Sequence, residues 1–112
     1  PEIISQIEQV KKYVSENEPY LEPSLTIQEL SKQVNISVRD LSILINHHMN
    51  KHFFDFINEY RIEKAKEILK DASKSKVTVL EILYEVGFNS KSSFNTAFKK
   101  HTNNTPTEFR NS

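Results

Sequence analysis

Two histidines near the middle of the chain are the first residues whose spacing suggests chemistry. His48 and His52 lie four positions apart, and on a continuous helix they could bind one metal ion. Asn50 lies between them and is expected to end the helix, and no carboxylate or cysteine stands nearby at ligand spacing. The sequence also has no glycine-rich phosphate loop and suggests no serine–histidine–aspartate arrangement. We therefore predict no metal site, no cofactor and no catalytic activity.

Two stretches of similar pattern carry polar side chains that could bind nucleic acid. They read SVRDLSILINHH from Ser37 and SKSSFNTAFKKH from Ser90. Helical periodicity assigns these residues of the first stretch to its inner face: Leu41, Leu44, Ile45 and His48. The outer faces then hold Val38, Arg39, Ser42, Ile43 and Asn46 in the first stretch, and Lys91, Ser92, Asn95, Thr96 and Lys99 in the second.

The chemistry of these outer faces suits the edges of DNA bases. Arg39 could form two hydrogen bonds to guanine, Asn95 could do the same with adenine, and Ile43 could contact the methyl group of thymine. The predicted base-reading residues are Val38, Arg39, Ser42, Ile43, Asn46, Lys91, Ser92, Asn95 and Thr96. The alternative for each is an ordinary solvated surface residue, and an exposed isoleucine could instead meet a partner protein.

A second group of polar residues is expected to contact the DNA backbone. Hydroxyl groups, ammonium groups and the backbone amides at helix starts bind phosphate without reading sequence. The predicted phosphate contacts are Ser37, Ser90, Ser93, Lys99 and Lys100. Ordinary surface is the alternative for these residues as well.

Arg61 and the phenylalanines follow an apolar periodicity and are interpreted as structural. Arg61 lies within an apolar stripe, so we expect a structural ion pair there in place of a DNA contact. The phenylalanines expected in the core, with no role in base stacking, are Phe53, Phe56, Phe88, Phe94, Phe98 and Phe109.

The two polar stretches belong to a repeat, which indicates how they are held. TIQELSKQVNI from Thr26 matches TVLEILYEVGF from Thr78, and after one inserted residue, Asn89, the match resumes at Ser37 and Ser90. The shared frame is a threonine-capped helix, a tight turn and a serine-capped helix. This is a helix-turn-helix written twice.

A sharp turn joins the two helices of each repeat. Gly87, the only glycine of the chain, stands at this turn in the second repeat, and Asn35 stands at the matching position in the first. Glycine adopts positive φ without steric cost, and asparagine tolerates the left-handed region better than other residues. We therefore expect positive φ where the first helix of each repeat ends.

The remaining periodicity predicts an all-α chain of about seven helices. A first helix is expected from Glu2 to Glu16, followed by an extended loop, NEPYLEPSL. One longer helix is expected from Phe53 to Lys70, and its length would be about 27 Å. The predicted organisation is a first helix-turn-helix subdomain with the amino-terminal helix in residues 1–52, a linker helix in 53–70 and a second subdomain in 71–112.

Composition agrees with a small globular protein. The chain has 112 residues, 37% of them hydrophobic and 27% charged, and no cysteine, which excludes disulfides. The formal net charge of zero divides into −3 for residues 1–37 and +3 for residues 38–112. A start at Pro1 suggests a piece of a longer protein, so a sensor or dimerisation domain is expected elsewhere.

From Leu25 to Arg110 the chain resembles the DNA-binding domain of AraC/XylS-type transcription regulators. The resemblance rests on LTIQELSKQVNIS, FFDFINEYRIEKAKEIL and VLEILYEVGFNSKSSFNTAFKKHTNNTPTEFR. It implies two homeodomain-like helix-turn-helix units, joined by the long helix, that place two recognition helices in successive major grooves of double-stranded DNA.

The resemblance also carries expectations about the whole protein. We expect a cytoplasmic, sequence-specific transcription regulator, either an activator or a repressor, with RNA polymerase as a candidate partner. The isolated domain is expected to be a monomer, and the full protein could be the cytoplasmic end of a membrane-anchored regulator. The rival hypothesis is a helical protein-interaction module that has lost DNA binding, which the zero net charge, the apolar Ile43 and the acidic first helix favour.

Several positions depart from the family pattern. Asparagine stands where family members usually have glycine, at Asn35, Asn50 and Asn103. Ser31 and Leu83 stand where alanine usually allows two helices to cross closely. Serine is easily accommodated, whereas the leucine is expected to require a wider crossing in the second unit.

Overall fold

The computed structural model describes residues 2–112, and within that range every regular element is helical. The α-helices are α1 (Glu2–Asn17), α2 (Ile27–Val34), α3 (Val38–Ile43), α4 (Phe53–Lys70), α5 (Val79–Glu85), α6 (Lys91–Thr102) and α7 (Pro106–Asn111). Three shorter turns lie between them: 3₁₀ turns at Pro19–Leu21 and Ala72–Lys74, and a π turn at Leu44–His48. The predicted all-α class with about seven helices is confirmed.

The segment between α1 and α2 differs from the predicted extended loop. Pro19–Leu21 forms a 3₁₀ turn in which the N–H of Glu22 donates to the carbonyl of Pro19 at 3.2 Å. Proline suits this position because its ring fixes φ near the helical value and the first residue of a helix needs no N–H partner. The side chain of Tyr20 is buried and holds the turn against the core.

The chain divides into two compact units, one ending at Ile57 and the other beginning at Asn58. The core of the first unit is mostly aliphatic, with Tyr20 and Phe56 as its buried aromatic residues, and its aliphatic side chains include Val10, Val14, Leu30, Val34, Leu41, Leu44 and Ile45. The side chain of Gln9 on α1 donates to the carbonyl of Val34 at the end of α2, at 2.9 Å. Helix α1 is therefore part of the first unit's core.

The core of the second unit combines aliphatic side chains with a cluster of phenylalanines. Phe94 packs against Phe88 and Phe98, with ring centroids 5.2 and 5.6 Å apart, and Phe98 packs edge-on against Phe109 at 5.6 Å. Phe94 and Phe98 are fully buried, as their periodicity predicts. Edge-to-face and tilted aromatic pairs add to the free energy gained from burial alone.

Threonine caps begin the first helix of each repeat. The hydroxyl of Thr26 accepts from the N–H of Glu29, and the Glu29 carboxylate accepts from the N–H of Thr26. Thr78 and Glu81 repeat this arrangement at the start of α5, and Thr105 repeats it with Glu108 at the start of α7. Each reciprocal pair satisfies two backbone donors that a helix start would otherwise leave without partners.

Both sharp turns place a positive-φ residue where the sequence predicts one. Asn35 has φ 55° and Gly87 has φ 104°. The bonds that close the turns also match, because Ile36 N–H donates to the Ser31 carbonyl at 3.1 Å and Phe88 N–H donates to the Leu83 carbonyl at 2.9 Å. The repeat is therefore a repeat of backbone geometry.

The positions that depart from the family pattern are accommodated locally. Asn50 and Asn103 have φ 56° and 62°, which asparagine tolerates. Ser31 is buried, and its hydroxyl donates to the carbonyl of Gln28 at 3.0 Å. Leu83 is fully buried as well, while the expectation of a wider helix crossing there stays a prediction.

Two arginines, the buried Arg61 and the half-buried Arg110, stabilise the second unit. Arg61 is only 5% exposed; it donates to Asn58 Oδ1 at 3.0 Å and lies over the ring of Phe88 at 5.6 Å. Arg110 on α7 donates to the carbonyl of Val77, just before α5, at 2.7 Å. The interpretation of Arg61 as structural agrees with its burial, and its contacts include an amide and an aromatic ring.

None of the helices described for residues 2–112 has the length and apolar character that crossing a membrane requires.

Candidate nucleic-acid interface

Helix α3 and the π turn expose most of the outer face predicted for the first recognition helix. Arg39 and Asn46 are exposed, Val38 and Ile43 are 38% and 37% exposed, and Ser42 is half-buried. The side-chain amide of Asn46 donates to the hydroxyl of Ser42 at 3.1 Å, which orients both groups. Two polar groups and two apolar ones are thus available along one face.

The inner face of this helix differs from the prediction at one position. Leu41, Leu44 and Ile45 are buried, but His48 is exposed and Met49 is half-buried. The cause is the π turn, in which Met49 N–H donates to the carbonyl of Leu44, five residues earlier, at 2.9 Å. The wider turn displaces later side chains around the axis, so the expectation that His48 faces inward was wrong.

Helix α6 exposes the whole outer face predicted for the second recognition helix. Phe94, Ala97 and Phe98 are buried. The exposed residues are Lys91, Ser92, Ser93, Asn95, Thr96, Lys99 and Lys100. The face that points away from the core therefore carries ammonium, hydroxyl and amide groups.

A groove of about 910 Å³ runs beside this face of α6 within the second unit. Lys91, Asn95, Thr96 and Lys99 line one side, and the starts of α5 and α7 supply the rest, which is Val79, Leu80, Leu83, Thr105, Pro106 and Thr107. None of the lining residues is a carboxylate. The groove therefore has an apolar floor and two lysines at its edge, a combination that does not repel a polyanion.

The serines predicted to bind phosphate also cap helices. The hydroxyl of Ser37 accepts from the N–H of Asp40 at 3.1 Å at the start of α3. At the start of α6, Ser90 accepts from the N–H of Ser93 at 3.1 Å and donates to the Ser93 hydroxyl at 3.0 Å. These hydroxyls lie beside the free N–H groups of a helix start, where anions bind readily.

The pKa of the Glu108 carboxyl on α7 is lowered. The main cause is the N–H of Thr105, followed by the hydroxyl of the same residue, and the charge of Lys99 acts in the same direction. Glu108 therefore keeps its charge in acid longer than an ordinary glutamate, and Lys99 feels one nearby carboxylate.

No group of three or more potential metal ligands among His, Cys, Asp and Glu lies close enough together to hold an ion in residues 2–112. His48 belongs to the π turn, and Asn50 has positive φ, so His48 and His52 do not share a continuous helix.

Sequence reasoning did not single out His47, which the structure exposes beside Asn46. The spacing of apolar residues gave no signal for the π turn, because Ile45 and Met49 are four residues apart, which an α-helical stripe also allows.

The chain matches the helix-turn-helix domain family over residues 30–112. An uncharacterized HTH-type transcriptional regulator in the cgkA 5′ region of Pseudoalteromonas carrageenovora is 48% identical over 61 residues, which cover 54% of this chain and 34% of the relative. Another HTH-type regulator, from Staphylococcus aureus, is 33% identical over 104 residues, which cover 93% of this chain and 13% of the relative.

A solved structure extends the likeness to the fold. The AraC-type DNA-binding domain-containing regulator from Chromobacterium violaceum superposes with a TM-score of 0.78 at 25% identity, over 96% of this chain and 94% of that one. This chain spans 34% and 13% of the length of the two curated relatives, so it corresponds to one part of proteins of that kind. With the family match, the duplicated helix-turn-helix and the neighbouring structure together, the chain belongs to the AraC-type helix-turn-helix family, the DNA-binding domains of transcription regulators.

Proposed function

We propose that this domain binds a specific double-stranded DNA sequence by placing two recognition helices, α3 with its π turn and α6, in successive major grooves. The observation that carries the proposal is the exposed polar face of α6, which borders a groove without carboxylates. Residues 1–52 and 71–112 act as the two DNA-binding subdomains in this proposal, and residues 53–70 link them. The domain works by binding, without catalysis.

The proposed base-reading side chains divide by chemistry. Arg39 donates two hydrogen bonds to guanine, Asn95 pairs with adenine, and Ile43 contacts a thymine methyl group. Further base contacts come from Val38, Ser42, Asn46, Lys91, Ser92 and Thr96. Their exposure along the outer faces supports this assignment, with Ser42 the least exposed of the set.

The proposed phosphate contacts set affinity and its dependence on salt. Ser37, Ser90 and Ser93 act at helix starts, and Lys99 and Lys100 act from the last turns of α6. Phosphate contacts of this kind strengthen binding to every sequence alike, because they release counterions from the duplex.

The proposal for the whole protein follows from what its relatives are. Regulators of this family are longer than the chain, so a sensor or dimerisation domain supplies the signal, and RNA polymerase is the partner when the protein activates transcription. The domain itself acts as a monomer. DNA as the partner places it in the cytoplasm of a bacterial cell, whether free or at the cytoplasmic end of a membrane-anchored protein.

One observation favours a second function, binding to another protein. Val38 and Ile43 are apolar and partly exposed on the face of α3 that would enter DNA. Selection of bound sites from a random oligonucleotide pool separates the two functions. We expect one enriched asymmetric motif, and failure to enrich any motif at low salt would overturn the DNA-binding proposal.

Two variants then test how the residues divide. Arg39→Ala is expected to relax specificity at one base pair and to cost about 1–3 kcal/mol on the selected site. Lys100→Ala is expected to weaken all sequences alike and to reduce the slope of log K against log salt by about 1. Lys12→Ala, which removes an exposed lysine from α1, is the charge-matched control. Uniform losses in both test variants would contradict the assignment of Arg39.

A further inference from the structure

The π turn at the end of the first recognition helix changes which side chains face outward. Its defining bond joins Met49 N–H to the carbonyl of Leu44, and Lys51 N–H then donates to the carbonyl of Ile45 at 3.0 Å. A π turn contains one residue more than an α turn, so side chains that follow it move back around the axis by about 100°, one residue's rotation.

Burial confirms this displacement independently of the hydrogen bonds. In an uninterrupted helix the inner position after Ile45 belongs to His48, yet His48 is exposed and Met49 is the half-buried side chain. The repeat supplies the comparison, because His101 aligns with His48. Helix α6 has no π turn, and there His101 is half-buried. The same position of the repeat therefore faces different ways in the two recognition helices.

The residue that gains an outward position is His47. His47 lies inside the π turn, so part of this rotation applies to it and moves its side chain toward the direction of Asn46, on the side of Arg39 and Ile43. His47 is exposed, and the sequence has no carboxylate between Asp40 and Asp55. A histidine side chain can donate or accept a hydrogen bond through its ring nitrogens.

The distance along the helix suits a separate base pair. Eight residues separate Arg39 from His47, a rise of about 12 Å at the α-helical value. Base pairs follow one another at about 3.4 Å, so His47 would lie about three base pairs beyond the one that Arg39 reads. The outer face of the helix already holds Asn46 one residue earlier, so His47 adds a second polar side chain at this end.

We propose that the π turn makes His47 a base-reading residue, which adds a base contact beside that of Asn46 at the end of the first recognition helix. The inference rests on the proposed DNA-binding function and adds a residue that the α-helical pattern leaves out. The π turn positions His47, because it rotates this side chain outward while Met49 takes the inner position.

The first experiment compares His47→Ala with His48→Ala in site selection and in binding to the selected duplex. His47→Ala is expected to broaden the motif at one base pair and to lower the preference there about 2- to 10-fold, as loss of one hydrogen bond predicts. His48→Ala removes the neighbouring exposed imidazole and should leave the motif unchanged. Equal effects of the two variants, no effect of His47→Ala, or a uniform loss on every sequence would each overturn the inference.

The second experiment moves the apolar residue and keeps the composition. His48→Met combined with Met49→His places the apolar side chain at position 48, which an uninterrupted α-helix turns inward, so the π turn should be lost and His47 should turn away from the DNA. The double variant is expected to lose the same base-pair preference as His47→Ala, with amide hydrogen-bond couplings by NMR reporting whether the bond from residue 49 to Leu44 persists. Loss of that bond without loss of the preference would overturn the role of the π turn.

The outcome also distinguishes this inference from the proposed function. Arg39→Ala serves as the positive control in both experiments. If Arg39→Ala relaxes the motif and His47→Ala does not, only the inference about His47 fails. If the unchanged chain enriches no motif, the proposed function itself fails.

Discussion

Leu41 and Phe94 occupy the same position of the repeat, and their surroundings show how the two units fill one backbone frame differently. In the first unit Ile36, Leu41 and Ile45 are buried. The second unit has three phenylalanines at the matching positions, Phe88, Phe94 and Phe98. At one further position the second unit has the smaller side chain, because Leu44 of the first unit corresponds to Ala97 of the second. The backbone that the two units share depends on the capped helix starts and the positive-φ turn. Within it, core side chains of different volume can replace one another.

The recognition helices of the two units differ at their ends. Both are capped by serine and both are followed by an asparagine with positive φ, Asn50 in the first unit and Asn103 in the second. Between these fixed points α6 is a regular helix, whereas the first helix changes to a π turn. The two recognition segments therefore have the same length and the same kinds of ends but present different outer faces. The repeat does not imply equivalent DNA contacts.

The largest expected effect comes from the aromatic core. Phe94→Ala should lower the free energy of unfolding by about 3–5 kcal/mol, because a fully buried ring in contact with two others leaves a cavity. Leu41→Ala at the matching position should cost about 2–5 kcal/mol. Native-state amide hydrogen exchange by NMR measures both losses, residue by residue.

The pattern of lost protection tests whether the two compact units are independent. We expect Phe94→Ala to reduce protection mainly in the unit that begins at Asn58, and Leu41→Ala mainly in the unit that ends at Ile57. Equal losses in both units with either variant would mean that the chain unfolds as one cooperative body. That result would contradict the conclusion that the two units have independent cores.

The sequence predicted those parts of the fold that local chemistry decides. Thr26, Thr78 and Gly87 each required only a helix start or a positive φ, and the structure agrees with all three. The π turn could not be obtained from the α-helical period, because that period assigns His48 to the core. The structure half-buries Met49 and exposes His48, and the apolar spacing could not predict this because Met49, four residues after Ile45, also fits an α-helical stripe.

Exchanging the turn residues Asn35 and Gly87 should have smaller effects on stability, and the two exchanges should differ in size. Gly87 has φ 104°, beyond the left-handed values near 57° that asparagine tolerates, whereas Asn35 at φ 55° lies within them. Gly87→Asn should therefore lower the free energy of unfolding by about 1 kcal/mol or more. Asn35→Gly should change it by less than about 1 kcal/mol. Chemical denaturation followed by circular dichroism measures both, and similar losses would show that the two turns make the same demand.

The smallest expected effect concerns acid and the caps of the second unit. The pKa of Glu81 lies below its ordinary value of 4.5, first because the N–H of Thr78 donates to its carboxylate and second because the Thr78 hydroxyl does so. The pKa of Glu108 is lowered in the same way by Thr105. A carboxyl whose pKa is lower in the folded than in the unfolded chain contributes stability above the unfolded pKa, and this stability is lost as the pH falls through the folded value.

Melting temperature should therefore decrease below about pH 4.5, the ordinary pKa of both groups. Glu81→Gln should reduce this decrease, because glutamine can still accept from the cap N–H but does not titrate. Glu67→Gln, at an exposed position inside α4, is the matched control and should leave the decrease as it is. The effect is small because both carboxylates are fully exposed to solvent. If Glu81→Gln and Glu67→Gln changed the acid dependence equally, the capping pair would not be its cause.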